Sequence, residues 1–391
     1  MLWSSFAGER RVVSCVQWVP NRRGVVAVAV TDPAGHQERL ARAGRLSDAY
    51  VLIWNFRDPI HPECVLECPY EVFSFQFNPV NPDIIAGGCY NGQASARTCG
   101  APGPPRPSRK LAVVVWDLTE EHDRIARRRT TAPRSGSGAG GGAGAEDGGA
   151  GGGAAGDTPA VRHRRASAGS AGFMSAVEAS HSAPISDLQW LPGIEVDRAG
   201  RAFPVRAGSA GTSHQSLARS GTLGAAAIAA LQAGSPVPRE CCFCATLAAD
   251  GRVMLWDTRV EKLLKRGGRR VDEAEVAWKP MHVVHLLNMH GVDFAGARLC
   301  FDFHDLVAGG FLAASHDGQI LGGTFVKALG DNPEYSRYCH APHAGPIVAL
   351  ARSPFIDGLV ASVGDWCFKL WLGDAQTPLF SSPFAEEVYT A

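Results

Sequence analysis

Five times along this chain a short apolar run carries a proline two residues after an aromatic or long side chain. The instances are Trp18-Val19-Pro20, Phe77-Asn78-Pro79, Trp190-Leu191-Pro192, Trp278-Lys279-Pro280 and Arg352-Ser353-Pro354. Four of these runs lead to a second run ending in Trp. Those are Val51-Leu52-Ile53-Trp54, Val113-Val114-Val115-Trp116-Asp117, Val253-Met254-Leu255-Trp256-Asp257 and Phe368-Lys369-Leu370-Trp371. A unit reused in this way cannot bury its apolar faces alone and must stack on its own copies. Short strands at regular spacing make the expected class all-β, with each unit one blade of a β-propeller.

Within a unit the strands are legible. The first has an inner strand near Val12 to Trp18, a second at Val25 to Val30, a third at Tyr50 to Asn55 and an outer one near Cys64-Val65-Leu66. An insertion, roughly Thr31 to Asp48, interrupts it. The second unit runs Val72 to Phe77 and Ile84 to Cys89 into Asn91-Gly92, a pair suited to the positive φ of a tight hairpin turn. Ala94 to Leu111 then separates that turn from Val113. The third opens at His181, runs Ile185 to Trp190, and resumes at Cys241 to Ala248. For the fourth, the expected strands are Val276 to Trp278, Leu299 to Phe303, Phe311 to Ser315 and Gln319 to Phe325. The fifth takes Ile347 to Ala351, Leu359 to Val363 and Phe368 to Trp371.

Net of insertions each unit is about 40–45 residues, the period of WD-type blades. The expected fold is therefore a WD40-type β-propeller with about five blades present, either an incomplete ring or one whose missing blades come from outside this sequence. Residues 12–130 form blades one and two, and residues 178–391 form blades three to five of the same propeller. Residues 131–177 are a Gly/Ala-rich insertion expected to be disordered, because it cannot bury enough apolar area to offset its ordering entropy. A second loop insertion spans about 196–240.

Charge and composition narrow the function classes. Lys+Arg and Asp+Glu balance at 38 each, so no global field favours nucleic acid or an anionic membrane. No apolar run approaches the roughly 20 residues that span a bilayer. The start, Met1 to Arg11, lacks the pattern of a secretory signal, and 11 irregularly spaced cysteines fit reduced thiols in the cytosol.

The side chains that could carry chemistry fall at repeat positions. His181 precedes an inner strand, Thr246 lies on the second strand, Asp250 sits in the hairpin turn and Trp256 ends the third. A His between a carboxylate and a hydroxyl, with the hydroxyl meeting an indole N–H, satisfies four buried polar groups at once. His343, Asp365 and Trp371 repeat three of these roles, with Ser362 read as one position out of register. A hydrolytic Ser/His/Asp set is the rival reading, but the order follows the blade repeat and no Gly-x-Ser-x-Gly elbow is present.

Cys241-Cys242-Phe243-Cys244 holds a C-x-x-C pair with no second pair at a ligand-like distance. In an extended strand its end cysteines point to opposite faces, so a buried strand is the expectation. Cys339, His340 and His343 form a loose cluster, read as no metal site. Arg127-Arg128-Arg129 and Arg162-His163-Arg164-Arg165 read as solvated linker charge, and Ser167 after Arg164-Arg165-Ala166 is open to modification. Trp366 and Arg252, beside hairpin turns, are the candidate partner contacts. No catalytic, cofactor or metal residue is expected.

Several stretches carry a family resemblance. Asp58-Pro59-Ile60-His61-Pro62 after the Trp54 strand, and Asn81-Pro82-Asp83-Ile84-Ile85-Ala86-Gly87-Gly88-Cys89-Tyr90-Asn91-Gly92-Gln93, are unusual for a generic WD protein. With Pro184 to Pro192, Ser353-Pro354-Phe355 and Gly364 to Trp371, they resemble the WD-repeat domain of axonemal dynein intermediate chains, nearest those of the two-headed inner-arm dynein. Ala94 to Leu111 departs from the family by splitting a hairpin. The family's N-terminal light-chain-binding region has no counterpart here, so direct light-chain binding is not carried over.

The resemblance implies a non-catalytic scaffold docked on the dynein heavy-chain tail, in the cytoplasm and the axoneme of a cilium or flagellum. Its implied partners are heavy chains and other intermediate and light chains, with no nucleic acid, membrane or small-molecule substrate. A generic cytoplasmic WD adaptor is the alternative, and a zinc protein or hydrolase built on the His and Cys positions is a third.

Overall fold

Twenty short strands sort into five four-stranded antiparallel sheets, in chain order, in a computed structural model. The structure describes residues 11–41, 49–58, 61–68, 70–90, 113–118, 172–175, 179–197, 200–204, 241–259, 265–266, 269–270, 278–288, 290–302, 308–325, 337–338, 343–353, 355–373 and 377–387. The Asn91-Gly92 turn, the Ala94–Leu111 insertion, the basic clusters, Ser167, Cys339 and His340 lie outside the described residues, as do most of the expected 131–177 and 196–240 insertions.

Sheet one is β1 (Val12–Trp18), β2 (Val25–Thr31), β3 (Ala49–Asn55) and β4 (Cys64–Cys68), with helix α1 (His36–Ala41) between β2 and β3. The composition of β2 sets its two faces. Ala27 and Ala29 join the core shared with sheet two, while Val26 and Val30 join a second cluster with Leu52 and Trp54. The helix was not expected, and one of its residues ties the insertion to sheet two. Arg39 bonds Glu71 Oε2 through Nε at 3.0 Å, caps the Ala34 and Asp32 carbonyls, and stacks over Phe73 and Tyr90.

Sheet two is β5 (Glu71–Phe77), β6 (Ile84–Tyr90), β7 (Val113–Asp117) and β8 (Gly172–Met174). The sequence reading assigned Gly172–Met174 to the disordered insertion; they pair instead with Val114–Trp116 as the outer strand. Sheet three is β9 (Ile185–Leu191), β12 (Phe243–Ala248), β13 (Arg252–Asp257) and β16 (His282–His285). Between these strands come two small hairpins, β10 (Ile194–Val196) with β11 (Ala202–Pro204) and β14 (Lys265–Arg266) with β15 (Arg269–Arg270).

Sheet four is β17 (Gly296–Phe301), β18 (Gly310–Ser315), β19 (Ile320–Thr324) and β20 (Arg337–Tyr338). Its inner strand is therefore β17 and not the expected Val276 to Trp278, of which only Trp278 lies among the described residues, outside sheet four. Trp278 packs at 5.1 Å against Trp256, donates its indole N–H to the Asp257 carbonyl at 2.8 Å, and bridges to Ser175 of sheet two. Its proline-bearing run belongs to the seam between blades two and three. Sheet five is β21 (Ile347–Arg352), β22 (Leu359–Gly364), β23 (Cys367–Leu372) and β24 (Phe380–Ser381).

Each sheet is pinned to the next by polar bonds as well as apolar packing. Ser14 Oγ donates to the Val72 carbonyl at 2.7 Å, and the Trp190 indole donates to Gln76 at 3.1 Å. Leu299 N–H donates to Asp187 Oδ2 at 2.8 Å, and Arg298 Nε to the Val348 carbonyl at 2.7 Å. The five sheets are propeller blades. Among the described residues they form no closed ring, and the apolar faces at the two ends of the series are uncovered. On blade one, Val16 is 57% and Trp18 61% exposed. On blade five, Leu372 and Phe380 are exposed.

Candidate functional site

The third blade builds a directed chain of hydrogen bonds. A carboxylate can only accept, so His181 Nδ1–H donates to Asp250 Oδ1 at 3.0 Å. That leaves Nε2 as an acceptor for the Thr246 hydroxyl at 2.8 Å, whose oxygen in turn accepts the Trp256 indole N–H at 2.9 Å. Burial opposes ionisation of Asp250, but the bonds from His181 and the Ser182 N–H outweigh it and hold the carboxyl below its usual range. Gly251, at φ +69°, lets the turn pass against the Leu286 carbonyl and Phe294 N–H, where a Cβ would sit 2.8 Å from backbone.

Blade five repeats the chain with a serine. His343 Nδ1 faces Asp365 Oδ1 at 2.7 Å, Nε2 faces Ser362 Oγ at 2.8 Å, and Trp371 donates to Ser362 at 2.9 Å. Ser362 is in register after all: Trp371 pairs with Val360 as Trp256 pairs with Cys244, and the hydroxyl lies two residues on in both strands. The single-residue offset belongs to the turn, where Asp365 takes φ +47° without a glycine. Burial pulls the His343 pKa below its ordinary value despite the Asp365 carboxylate. In blade two the hydroxyl's place is taken by Gly87, over which the Trp116 ring lies so close that a Cβ would be 2.7 Å away.

These constellations share the connectivity of a hydrolytic triad, but Thr246 and Ser362 are fully buried and each hydroxyl oxygen already accepts an indole N–H. What they do chemically is satisfy polar groups inside the blade. His343, Asp365 and Cys367 are grouped closely enough to suggest a metal, their ligand atoms lying within 4.8 Å of one another. Both imidazole nitrogens of His343 are engaged, so no lone pair is left for an ion without breaking the network.

The C-x-x-C pair departs from its expected geometry. Cys241 and Cys244 lie in one apolar cluster rather than on opposite faces, because β12 begins only at Phe243 and strict alternation does not reach back to Cys241. Burial pushes both thiols up, which makes them inert as nucleophiles. Of the candidate contacts, Trp366 is 44% exposed in the β22–β23 turn, while Arg252 is half-buried at the start of β13.

One group was overlooked at the sequence level. Asp187 sits on inner strand β9, accepting N–H bonds from Leu188 and Leu299, and burial raises its pKa to about 6. Beside it, Gln189 donates to the Leu299 carbonyl and Arg298 reaches the Ser186 and Val348 carbonyls. The signal was available: an acid in the middle of an inner strand, Ile185-Ser186-Asp187-Leu188-Gln189-Trp190.

Comparison with known proteins adds what geometry alone cannot. The family model of the dynein axonemal intermediate chain 3 WD40 domain matches residues 4–100. Dynein axonemal intermediate chain 3 of Macaca fascicularis is 24% identical over 97% of this chain and 43% of its own length. The chain is thus similar to axonemal dynein intermediate chains along nearly its whole length. Human dynein axonemal intermediate chain 2 is 20% identical over 94% of the chain and 39% of its own length. The 70 kDa intermediate chain of the Chlamydomonas reinhardtii flagellar outer arm is 27% identical over 36% of the chain. The chain spans less than half the length of these curated relatives.

Proposed function

We propose that this chain is a dynein intermediate chain, a non-catalytic scaffold of an axonemal inner-arm dynein, working in the cilium or flagellum with its propeller docked on a heavy-chain tail. The observation that carries the reading is the likeness to axonemal intermediate chains along nearly the whole chain. The blade geometry supports it. Buried networks and blade-to-blade bonds spend the His, Asp and Ser side chains on rigidity, and a rigid platform presents its loops and faces to partners. Trp366 and the uncovered apolar faces of blades one and five are the surfaces we assign to docking, with Arg252 at the rim.

The test is affinity purification of the tagged full chain from ciliated cells, followed by mass spectrometry. Inner-arm heavy chains recovered with other intermediate and light chains are the expected result. Outer-arm heavy chains alone would move the assignment to the other arm. Ligase or trafficking subunits without any dynein would overturn it in favour of a generic cytoplasmic adaptor.

A further inference from the structure

Cys68 ends β4, the outermost strand of blade one, and Cys89 lies on β6, the second strand of blade two. Their sulfurs are in contact at 3.6 Å across the seam between the blades. Both side chains are buried in the same apolar cluster, flanked by Leu66, Val72 and Phe75. We propose that this pair is an oxidative modification site, closing under peroxide to a disulfide that staples the first blade to the second.

The position of the two strands sets the order of events. Cys89 is held as a thiol by its bond to the Cys68 sulfur, with burial adding to the effect. Cys68 is on an edge strand, paired among the described residues only to β3, which opens at lower cost than the interior of a sheet. Peroxide oxidises the Cys68 thiol to a sulfenic acid and leaves as water. Opening of the edge strand removes the burial that holds Cys89 as a thiol; its thiolate then attacks that sulfur, the S–O bond breaks, and the released hydroxide takes up the Cys89 proton to leave as a second water. The net change is two thiols and one hydrogen peroxide to one disulfide and two waters. A dithiol reductant restores the pair.

The link would join positions 21 residues apart, and cross-links of that span restrict the unfolded chain appreciably. Its effect falls on blade one, whose other face is uncovered. The seam between blades one and two would thus become covalent under oxidising conditions. The inference does not depend on the dynein assignment.

The experiment treats the full reduced chain with hydrogen peroxide, blocks remaining thiols with N-ethylmaleimide, and maps disulfides by mass spectrometry of non-reduced digests. A Cys68–Cys89 peptide in more than half the molecules is the expected result, with a melting temperature several degrees above the reduced form and reversal by dithiothreitol. Cys68→Ala and Cys89→Ala should each abolish the link and the thermal shift. The mapping on the unaltered chain decides the matter even if a variant fails to fold. Both cysteines found alkylated only after unfolding, at a peroxide dose that oxidises a half-buried thiol such as Cys242, would overturn the proposal. So would linkage of either one to a different cysteine.

Discussion

The third and fifth blades are built from the same hairpin and the same His-hydroxyl-Trp chain, yet they are buried differently. In blade three every residue of β12 is buried: Phe243, Ala245 and Leu247 pack toward blade four, and Cys244 toward blade two. In blade five β22 alternates, with Val360, Ser362 and Gly364 buried and Leu359, Ala361 and Val363 only half-covered. The buried side packs on Cys300, Ala314 and Ile320 of blade four. The other side, where Phe368 and Phe380 meet at 5.8 Å, has no blade against it among the described residues. The difference lies in what stands next to the blade, since both strands are almost wholly apolar or small. A strand of that composition is made for two covered faces, as sheets in the interior of a stack require.

The largest effect should separate the two blades most cleanly. Phe243→Ala removes a fully buried ring and should cost about 4 kcal/mol, whereas Phe368→Ala on the uncovered face should cost about 1 kcal/mol. Urea denaturation of both variants checks this, and equal losses would mean that blade five is covered in solution.

The next effect is pH-dependent. Asp187 has a usual value of 3.8 and is raised to about 6 by burial. A raised acid stabilises the fold when protonated, so this contribution is intact below about pH 4 and is lost as pH rises through about 6, to a limit of about 3 kcal/mol. Asp187→Asn should flatten the stability profile between those limits, a change visible by thermal melts across pH.

Smaller still is the exchange of one hydroxyl in each network. Thr246→Val and Ser362→Ala both leave an indole N–H and an imidazole nitrogen unpaired in a buried setting, and each should cost about 2 kcal/mol. Similar losses would show that the two blades are internally alike and differ only at their faces. The smallest effect on stability is expected for Trp366→Ala, within about 0.5 kcal/mol because the ring is 44% exposed. The same variant should lower recovery of the partner complex. A large loss of stability with partner recovery intact would make Trp366 a packing residue.

Much of this architecture was legible because its signals are local. Strand alternation, the Trp on four of the five third strands and the turn residues at Asp250-Gly251 are dictated by neighbours in sequence. What was misread depended on distant contacts. The Trp278-Lys279-Pro280 run imitates an inner strand, but its ring is claimed by Trp256 and the Asp257 carbonyl, while the true inner strand ends at Phe301-Asp302 with no proline. Gly172–Met174 is only three residues long, too short for a periodic signal in sequence, and is recognisable as strand by its pairing with β7. The Ser362 register was misjudged because counting from the turn assumes equal turn lengths, and blade five closes its turn one residue sooner. Asp187 and the Cys68–Cys89 contact needed the packing of different blades to acquire meaning.

The most direct test of the central claim, that the ends of this scaffold are docking faces, is hydrogen–deuterium exchange on β22 and β23. It would be measured on the full chain alone and within the complex purified from ciliated cells. The account predicts slow exchange of β12 in both states, and protection of β22 and β23 that rises only in the complex. Equal protection of β22 and β23 in the two states, with the partners demonstrably bound, would contradict it.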